Sequence, residues 1–378
     1  MNDISLARRT FLRQSSTGLG LAALGSLLDP SASTRGAEGL GALGRPHFAP
    51  TAKRVIYLFQ GGGPSHVDLF DPKPKLREMH GQEMPKSILG TQRVTLMTRN
   101  QGHFLAASTP YVFAKHGQCG AEMSELLVHT ASIADDIAIV RSIHTEPINH
   151  DPAVTFMQTG RPQPGLPAMG SWLTYGLGSE SSELPAYVVM LSGPFDQPIP
   201  SRFYHSGFLP AQFQGTQFQP GADPVLYLTN PKGISLENRG RLISGINKLN
   251  QLKEDAVGDP EIEARIKSFE LAYRMQTSVP ELMDTAAEPR HVMDLYGPEV
   301  TQPGTFASNC LIARRLAERG VRFVQLFHRG WDQHIAIGRQ PYPTAKITVR
   351  LQHAPLLTEP RRQTRTDVRR ADDHGLKL

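Results

Sequence analysis

The sequence is poor in cysteine and lacks any long hydrophobic run. Its 378 residues include only two cysteines, Cys119 and Cys310, too few for a disulfide framework or a thiolate zinc site. No segment approaches the roughly 20 consecutive apolar residues that a membrane-spanning helix needs. We therefore expect a mature protein without a membrane span, in which any metal ion is bound by nitrogen and oxygen ligands.

An excess of positive charge is also missing from most of the chain. The formal net charge is +5, but residues 1–33 hold three basic and two acidic residues, and residues 339–378 hold nine and four. The segment between them therefore carries a net charge of −1. Nucleic-acid-binding proteins present a basic stripe, and the aromatic content here is only 7%. The composition argues against a nucleic-acid partner.

The N-terminus has the pattern of a twin-arginine export signal. Arg8 and Arg9 precede a modestly apolar run over residues 18–28, and a cleavage site follows at Ser33. We predict a signal peptide over residues 1–33, a linker over residues 34–52 and delivery to the periplasm or the extracellular space by the twin-arginine machinery. Because that machinery exports folded proteins, it favours a cofactor loaded beforehand. The alternative is an amphipathic surface helix.

Beyond the linker, short apolar runs alternate with helical patterns, which is typical of α/β folds. The prediction is a mostly parallel central sheet flanked by helices, within a domain spanning residues 53–334. The first apolar run is expected to form a central strand that is buried on both faces. Strands are predicted at 55–59, 136–141, 185–191 and 321–327, and helices at 122–135, 170–178, 239–254, 260–276 and 305–319.

The first predicted strand leads into a glycine turn and a polar cluster. Ser65, His66, Asp68 and Asp71 follow three successive glycines. Ligands of parallel sheets bind beyond the carboxyl ends of the strands, and glycines allow a metal, phosphate or sulfate to approach the backbone. The cluster therefore offers a nucleophile candidate in Ser65 and three metal-ligand candidates. The alternative is an ordinary turn in which these side chains satisfy the loop backbone.

Two later loops repeat this arrangement. Asn149 and His150 follow the second predicted strand, and Asp332 and His334 follow the last one. Carboxylate and imidazole groups are ordinary ligands of zinc, manganese or iron, and an Asn amide can orient an oxyanion. In the alternative interpretation, these histidines are hydrogen-bonded loop residues. His144, in the same loop as His150, is a weaker ligand candidate.

Several multi-residue motifs occur in order along the chain. They are Gly62–Pro74, Asn149–His150, Thr159–Pro162, Leu271–Gln276, Leu295–Gly297, Leu311–Leu316, Glu318–Val324 and Gly330–His334. Together they resemble the family called domain of unknown function 1501, and the resemblance covers residues 53–334. That family is similar to the alkaline phosphatase and sulfatase superfamily, whose members bind divalent metals at strand ends and hydrolyse phosphate or sulfate esters.

The resemblance implies a metal-dependent hydrolase that acts on small-molecule or polysaccharide esters of sulfate or phosphate. It implies zinc, manganese or calcium as cofactor, and Ser65 lies near the superfamily's first-strand metal site. The implied metal ligands are Asp68, His150, Asp332 and His334. The implied substrate-binding residues are His66 and Asn149.

The sequence departs from the family pattern after His334. The family continues with a helix, a strand and two further ligand-like motifs, whereas residues 335–378 are rich in Arg, Pro, Thr and Gln without apolar periodicity. We expect a truncated domain, a disordered tail and an enzyme that is inactive as written. Two other functions stay open: a non-enzymatic exported binding or cell-surface protein with a decayed metal site, and a serine hydrolase using Ser65. The serine hydrolase lacks the second glycine of a nucleophile elbow.

Overall fold

The computed structural model describes residues 41–44, 46–90, 98, 100–194, 198–221, 224–225, 228–258 and 260–332. The predicted signal peptide and the tail at residues 335–378 lie outside these ranges. The strands of the described ranges are β1 (Val55–Gln60), β2 (Phe113–His116), β3 (Ala121–Ser124), β4 (Tyr187–Ser192), β5 (Thr216–Phe218) and β6 (Phe323–His328).

Ten α-helices lie in the described ranges, and none of them is long and apolar enough to cross a membrane. They are α1 (His66–Leu69), α2 (Pro74–Glu78), α3 (Lys86–Leu89), α4 (Val128–Ala131), α5 (His150–Thr159), α6 (Met169–Leu177), α7 (Leu236–Val257), α8 (Pro260–Met283), α9 (Arg290–Tyr296) and α10 (Phe306–Glu318).

Four strands form a parallel sheet in the order β1-β6-β4-β5, while β2 and β3 form a separate antiparallel hairpin. The α/β class and the mostly parallel sheet are therefore as predicted. The predicted position of β1 is wrong within the described residues. There β1 lies at the edge and pairs with β6, and Val55 is 41% exposed. The fully buried strand is β6, which lies inside the sheet between β1 and β4.

Helices cover both faces of the sheet. On one face, Val324 and Leu326 of β6 pack with Leu311 and Leu316 of α10 in the largest apolar cluster. On the other face, Phe323 and Phe327 belong to a cluster that Leu173 of α6 joins. Alternate residues of a strand point to opposite faces, so the apolar residues of β6 supply both clusters.

Residues 122–141 differ from their predicted structure. The predicted helix at 122–135 is instead β3 followed by 3₁₀ turns and the short helix α4. The hairpin is fixed by the Asp135 carboxylate, which accepts hydrogen bonds from the backbone N–H groups of Gln118 and Cys119, both at 2.8 Å. In place of the predicted strand at 136–141, Asp136 ends a 3₁₀ turn and residues 137–140 form neither helix nor strand. Ile137 and Ile139 pack onto a third apolar cluster, so burial rather than sheet pairing accounts for the apolar pattern.

The later predicted elements are confirmed. β4, β6, α6 and α10 fall within two residues of their predicted bounds, and α7 and α8 are longer than predicted. Gly320 follows α10 with φ +86°, the left-handed conformation that ends helices and favours glycine. Part of the predicted linker is in contact with the domain, because the Ala42 N–H donates to the Tyr175 carbonyl of α6 at 2.8 Å.

Candidate functional site

The loops that follow β1 and β6 are joined at the carboxyl edge of the sheet. The Gly61 N–H donates to the His328 carbonyl at 2.6 Å, and the Trp331 N–H donates to the Gly61 carbonyl at 3.1 Å. Gly62 has φ +121°, and a Cβ there would lie 2.4 Å from the Asp332 nitrogen. The glycine turn therefore lets the two backbones approach more closely than any side chain would permit.

His150 and Asp332 meet at this edge. The His150 Nε2 lies 2.9 Å from the Asp332 Oδ2, and the two side chains are 52% and 25% exposed. His150 is the first residue of α5, and Asp332 follows β6 after a short loop. Asn149 precedes α5, and its side chain makes no capping hydrogen bond with the helix. The structure thus brings together two residues that the sequence had proposed as metal ligands, at a site open to solvent.

The polar cluster after β1 is spread over the start of α1. Ser65 is half-buried and has extended backbone (φ −68°, ψ 110°) immediately before α1. The His66 side chain is 71% exposed and lies 4.0 Å from the Asp71 carboxylate. Lys73 contacts Asp71 at 2.6 Å, and this hydrogen bond lowers the pKa of the Asp71 carboxyl. Asp71 is therefore engaged in a surface ion pair.

Asp68 is buried near a tyrosine. It is 7% exposed. Burial raises the pKa of the Tyr111 hydroxyl, and the nearby charge of Asp68 raises it further. The adjacent Leu69 packs with Trp331 in the cluster beneath the loops. Asp68 therefore lies beside the hairpin cluster, close to the loop that leads to Asp332.

A complete metal-ligand set is not assembled by the described residues. They contain no group of three or more His, Cys, Asp or Glu side chains placed to hold a metal ion. His150 and Asp332 supply one imidazole and one carboxylate, the ligand types that suit zinc or manganese. His334, the fourth predicted ligand, lies outside the described residues. The imidazole of His150 and the carboxylate of Asp332 are suitable ligands for a divalent ion, but the described residues supply only these two at the site.

A second polar pair at the same edge was not anticipated. The Ser192 hydroxyl at the end of β4 lies 2.9 Å from the His328 Nδ1 at the end of β6, and both residues are at least 96% buried. Burial lowers the pKa of His328 to about 4, and the positive charge of Arg329 contributes. The imidazole is thus neutral near pH 7. The sequence does show that each residue stands at the end of an apolar run. It does not show that the two strands are neighbours in the sheet, and so it does not predict this contact.

The comparisons with known proteins give a family. The family model described as "Protein of unknown function (DUF1501)" matches residues 52–350. The match runs past the domain end predicted at residue 334. No curated protein and no solved structure matches the chain.

Proposed function

This chain belongs to the DUF1501 family, and we propose that it is a metal-dependent hydrolase of sulfate or phosphate esters with an alkaline phosphatase- or sulfatase-like domain. The observation that carries the proposal is the meeting of His150 and Asp332 at the carboxyl edge of the parallel sheet. That edge is where α/β sheets bind their ligands.

The pair supports a metal centre by its chemistry and its position. An imidazole and a carboxylate are ordinary ligands of one divalent ion, which His150 and Asp332 would hold. The partial exposure of both side chains leaves room for an ester to approach. When bound, a divalent ion supplies positive charge that polarises an ester oxygen. Zinc, manganese and calcium are the ions we propose, with His334 as a further ligand.

The chain's own residues would bind and orient the ester. The exposed His66 ring and the Asn149 amide, which is not used for capping α5, are proposed to bind the sulfate or phosphate group. Ser65 is the proposed nucleophile because it stands between the glycine turn and α1. We propose small-molecule or polysaccharide esters as substrates.

Metal content and metal affinity test this proposal. We expect the purified protein to contain a stoichiometric divalent ion, and we expect His150→Gln and Asp332→Asn each to lower metal occupancy and melting temperature together, because bound metal stabilises the folded state. The matched control is His103→Gln. His103 and Glu83 form another histidine–carboxylate contact of 2.9 Å, on the surface, and its loss should change neither quantity.

A non-enzymatic exported binding or cell-surface protein is the second candidate. It is favoured by the direct 2.9 Å contact between His150 and Asp332, which satisfies both groups without an ion. Metal-free protein with no turnover of aryl sulfate or aryl phosphate in added zinc, manganese or calcium would support it. Metal-dependent turnover that is lost in Asp332→Asn would exclude it.

Export by the twin-arginine route is part of the proposal. It is supported by Arg8 and Arg9 ahead of the apolar run. We expect replacement of both arginines by lysine to retain the protein in the cytoplasm, because the export machinery recognises that pair. Cell fractionation with an antibody to the mature domain measures this, and unchanged export would refute the signal.

A further inference from the structure

Three polar residues lie in one row across the sheet. Gln60, His328 and Ser192 are the last residues of β1, β6 and β4, and His328 is the register partner of both other residues. Side chains at paired positions of adjacent parallel strands point to the same face. Ser192 and His328 are already in contact through the 2.9 Å hydrogen bond. Gln60 lies on the other side of His328 in the same row.

The unsatisfied atoms in this row are complementary once one amide is turned. Among the described residues, the buried Nε2 atoms of Gln60 and His328 have no hydrogen-bond partner. The oxygen and nitrogen of a glutamine amide have nearly the same shape, so their assignment follows from the hydrogen-bond network. With the Gln60 amide turned, its oxygen takes the place of the unpaired nitrogen. It then accepts a hydrogen bond from the His328 Nε2–H, while the Nδ1 lone pair accepts one from the Ser192 hydroxyl.

We propose that Ser192, His328 and Gln60 form one continuous hydrogen-bonded row that positions the glycine turn and Asp332. His328 is a positioning residue in this row, because it acts through the loops and not on the ester. The role assigned to the row rests on the proposed metal centre. The row itself does not.

The backbone of the same residues connects the row to the site. The His328 carbonyl accepts from Gly61, and the Ser192 carbonyl accepts from the Arg329 N–H at 3.0 Å. Gly61 in turn accepts from Trp331, next to Asp332. The His328 ring also lies against Phe306 of α10, with centroids 4.5 Å apart. The residues of the row are therefore joined through their backbones to the glycine turn and to the loop before Asp332.

The opposite face of the same strands offers a matched control. The Gln325 side chain of β6 accepts from the Tyr187 hydroxyl at 2.5 Å and donates to Gln158 at 2.6 Å. This network is buried on the other face of β6, and it meets α5 at Gln158, near the end of that helix opposite to His150. Gln325→Leu should destabilise the protein without changing the loops around Asp332.

The first experiment identifies the tautomer of His328 in the full chain by ¹⁵N NMR, assigned with a His328→Gln variant. The row requires the proton on Nε2, with the signal changed by Ser192→Ala and by Gln60→Met. A proton on Nδ1, or a signal that Gln60→Met leaves unchanged, would overturn the row.

The second experiment measures zinc affinity by competition with a chromophoric chelator. We expect Ser192→Ala and Gln60→Met each to weaken zinc binding about tenfold, as is usual when the support of a ligand is lost. The double variant should lose no more than either single variant, because both changes break one row. Gln60→Glu retains an acceptor and should preserve affinity, and so should Gln325→Leu.

The two experiments separate the two proposals. Wild-type protein that binds none of zinc, manganese and calcium would refute the proposed function, and the His328 tautomer would still decide whether the row exists. Zinc binding that is weakened equally by Gln325→Leu would refute the positioning role. Additive losses in the double variant would show that Ser192 and Gln60 act separately and would refute a continuous row.

Discussion

A methyl group added at Gly62 should displace the loop that carries Asp332. A Cβ at this position would meet the Asp332 nitrogen at 2.4 Å and the Trp331 carbonyl carbon at 2.8 Å. These are backbone atoms, which cannot rotate away as the end of a side chain can. The expected result of Gly62→Ala is therefore a shift of the whole loop and a loss of stability.

The variant Gly63→Ala is a control that has the backbone strain of Gly62→Ala without its steric contact. Gly62 and Gly63 have φ +121° and +100°, but a Cβ at Gly63 would meet nothing within 4 Å. Both alanine variants incur the strain of positive φ, about 1–3 kcal/mol. Gly62→Ala adds overpacking of about 1–3 kcal/mol. At about 2–4 °C per kcal/mol, its melting temperature should lie about 2–12 °C below that of Gly63→Ala.

Tryptophan fluorescence shows whether the loop has moved. The protein has two tryptophans; Trp331 is 4% exposed and Trp172 is 44% exposed. In a Trp172→Phe background, the emission reports Trp331 alone. We expect a red shift in Gly62→Ala and none in Gly63→Ala. Equal melting temperatures and identical spectra for the two variants would refute the close approach of the two loops.

Two further predictions concern buried charge. Glu288 contacts Arg314 and Arg315, each at 2.5 Å, and the three side chains are about 9–10% exposed. Glu288→Gln should therefore lower the free energy of unfolding, measured in urea, by about 3–5 kcal/mol. The control Glu263→Gln, at an exposed pair with Lys267, should lower it by under about 1 kcal/mol. Because the pKa of His328 is lowered from 6.5 to about 4, the unfolded chain binds the proton more tightly. The contribution of His328 to the free energy of unfolding is then fully present above pH 6.5 and falls by about 3 kcal/mol towards pH 4. His328→Leu should remove this pH dependence, and His103→Gln should retain it.

The elements that were predicted well are those whose own sequence pattern is long enough to indicate a helix or a strand. α10 carries apolar residues such as Leu311 and Leu316 at helical spacing, and β6 follows it after a glycine. The helical spacing of α10 and the short apolar run of β6, which is buried on both faces, each indicate their structure directly. The apolar run of β1 predicted a strand equally well. Its place at the described edge depends on strand order, which the run itself does not encode.

Residues 122–141 show why a periodic pattern can mislead. Met123, Leu126 and Leu127 have helical spacing and are all buried, as a helix would require. A strand followed by a tight turn buries the same three residues, and the Asp135 carboxylate stabilises that alternative through two distant backbone N–H groups. The choice between the structures therefore depends on a contact that the local pattern does not contain.

The site was predictable in part for a related reason. His150 and Asp332 were identified because both follow apolar runs and have side chains that bind metals. One of those runs is not a strand, yet α5 still brings His150 to the edge. Ser192 and His328 were not identified, because their pairing depends on β4 and β6 being neighbours in register. Residue type indicated the exposed pair, whereas only the sheet topology reveals the buried one.

The His150–Asp332 pair and the Ser192–His328 pair both depend on β6. It contributes His328, and the loop that follows it contributes Asp332. The loops after β1 and β4 are bound to it through Gly61 and Ser192. A change at the end of β6 is therefore transmitted to both neighbouring loops, whereas a change in the α1 region reaches Asp332 through the glycine turn and through the contact of Leu69 with Trp331. Substitutions at His328 should accordingly alter the site more than substitutions at Ser65, even though His328 is buried and Ser65 lies nearer to solvent.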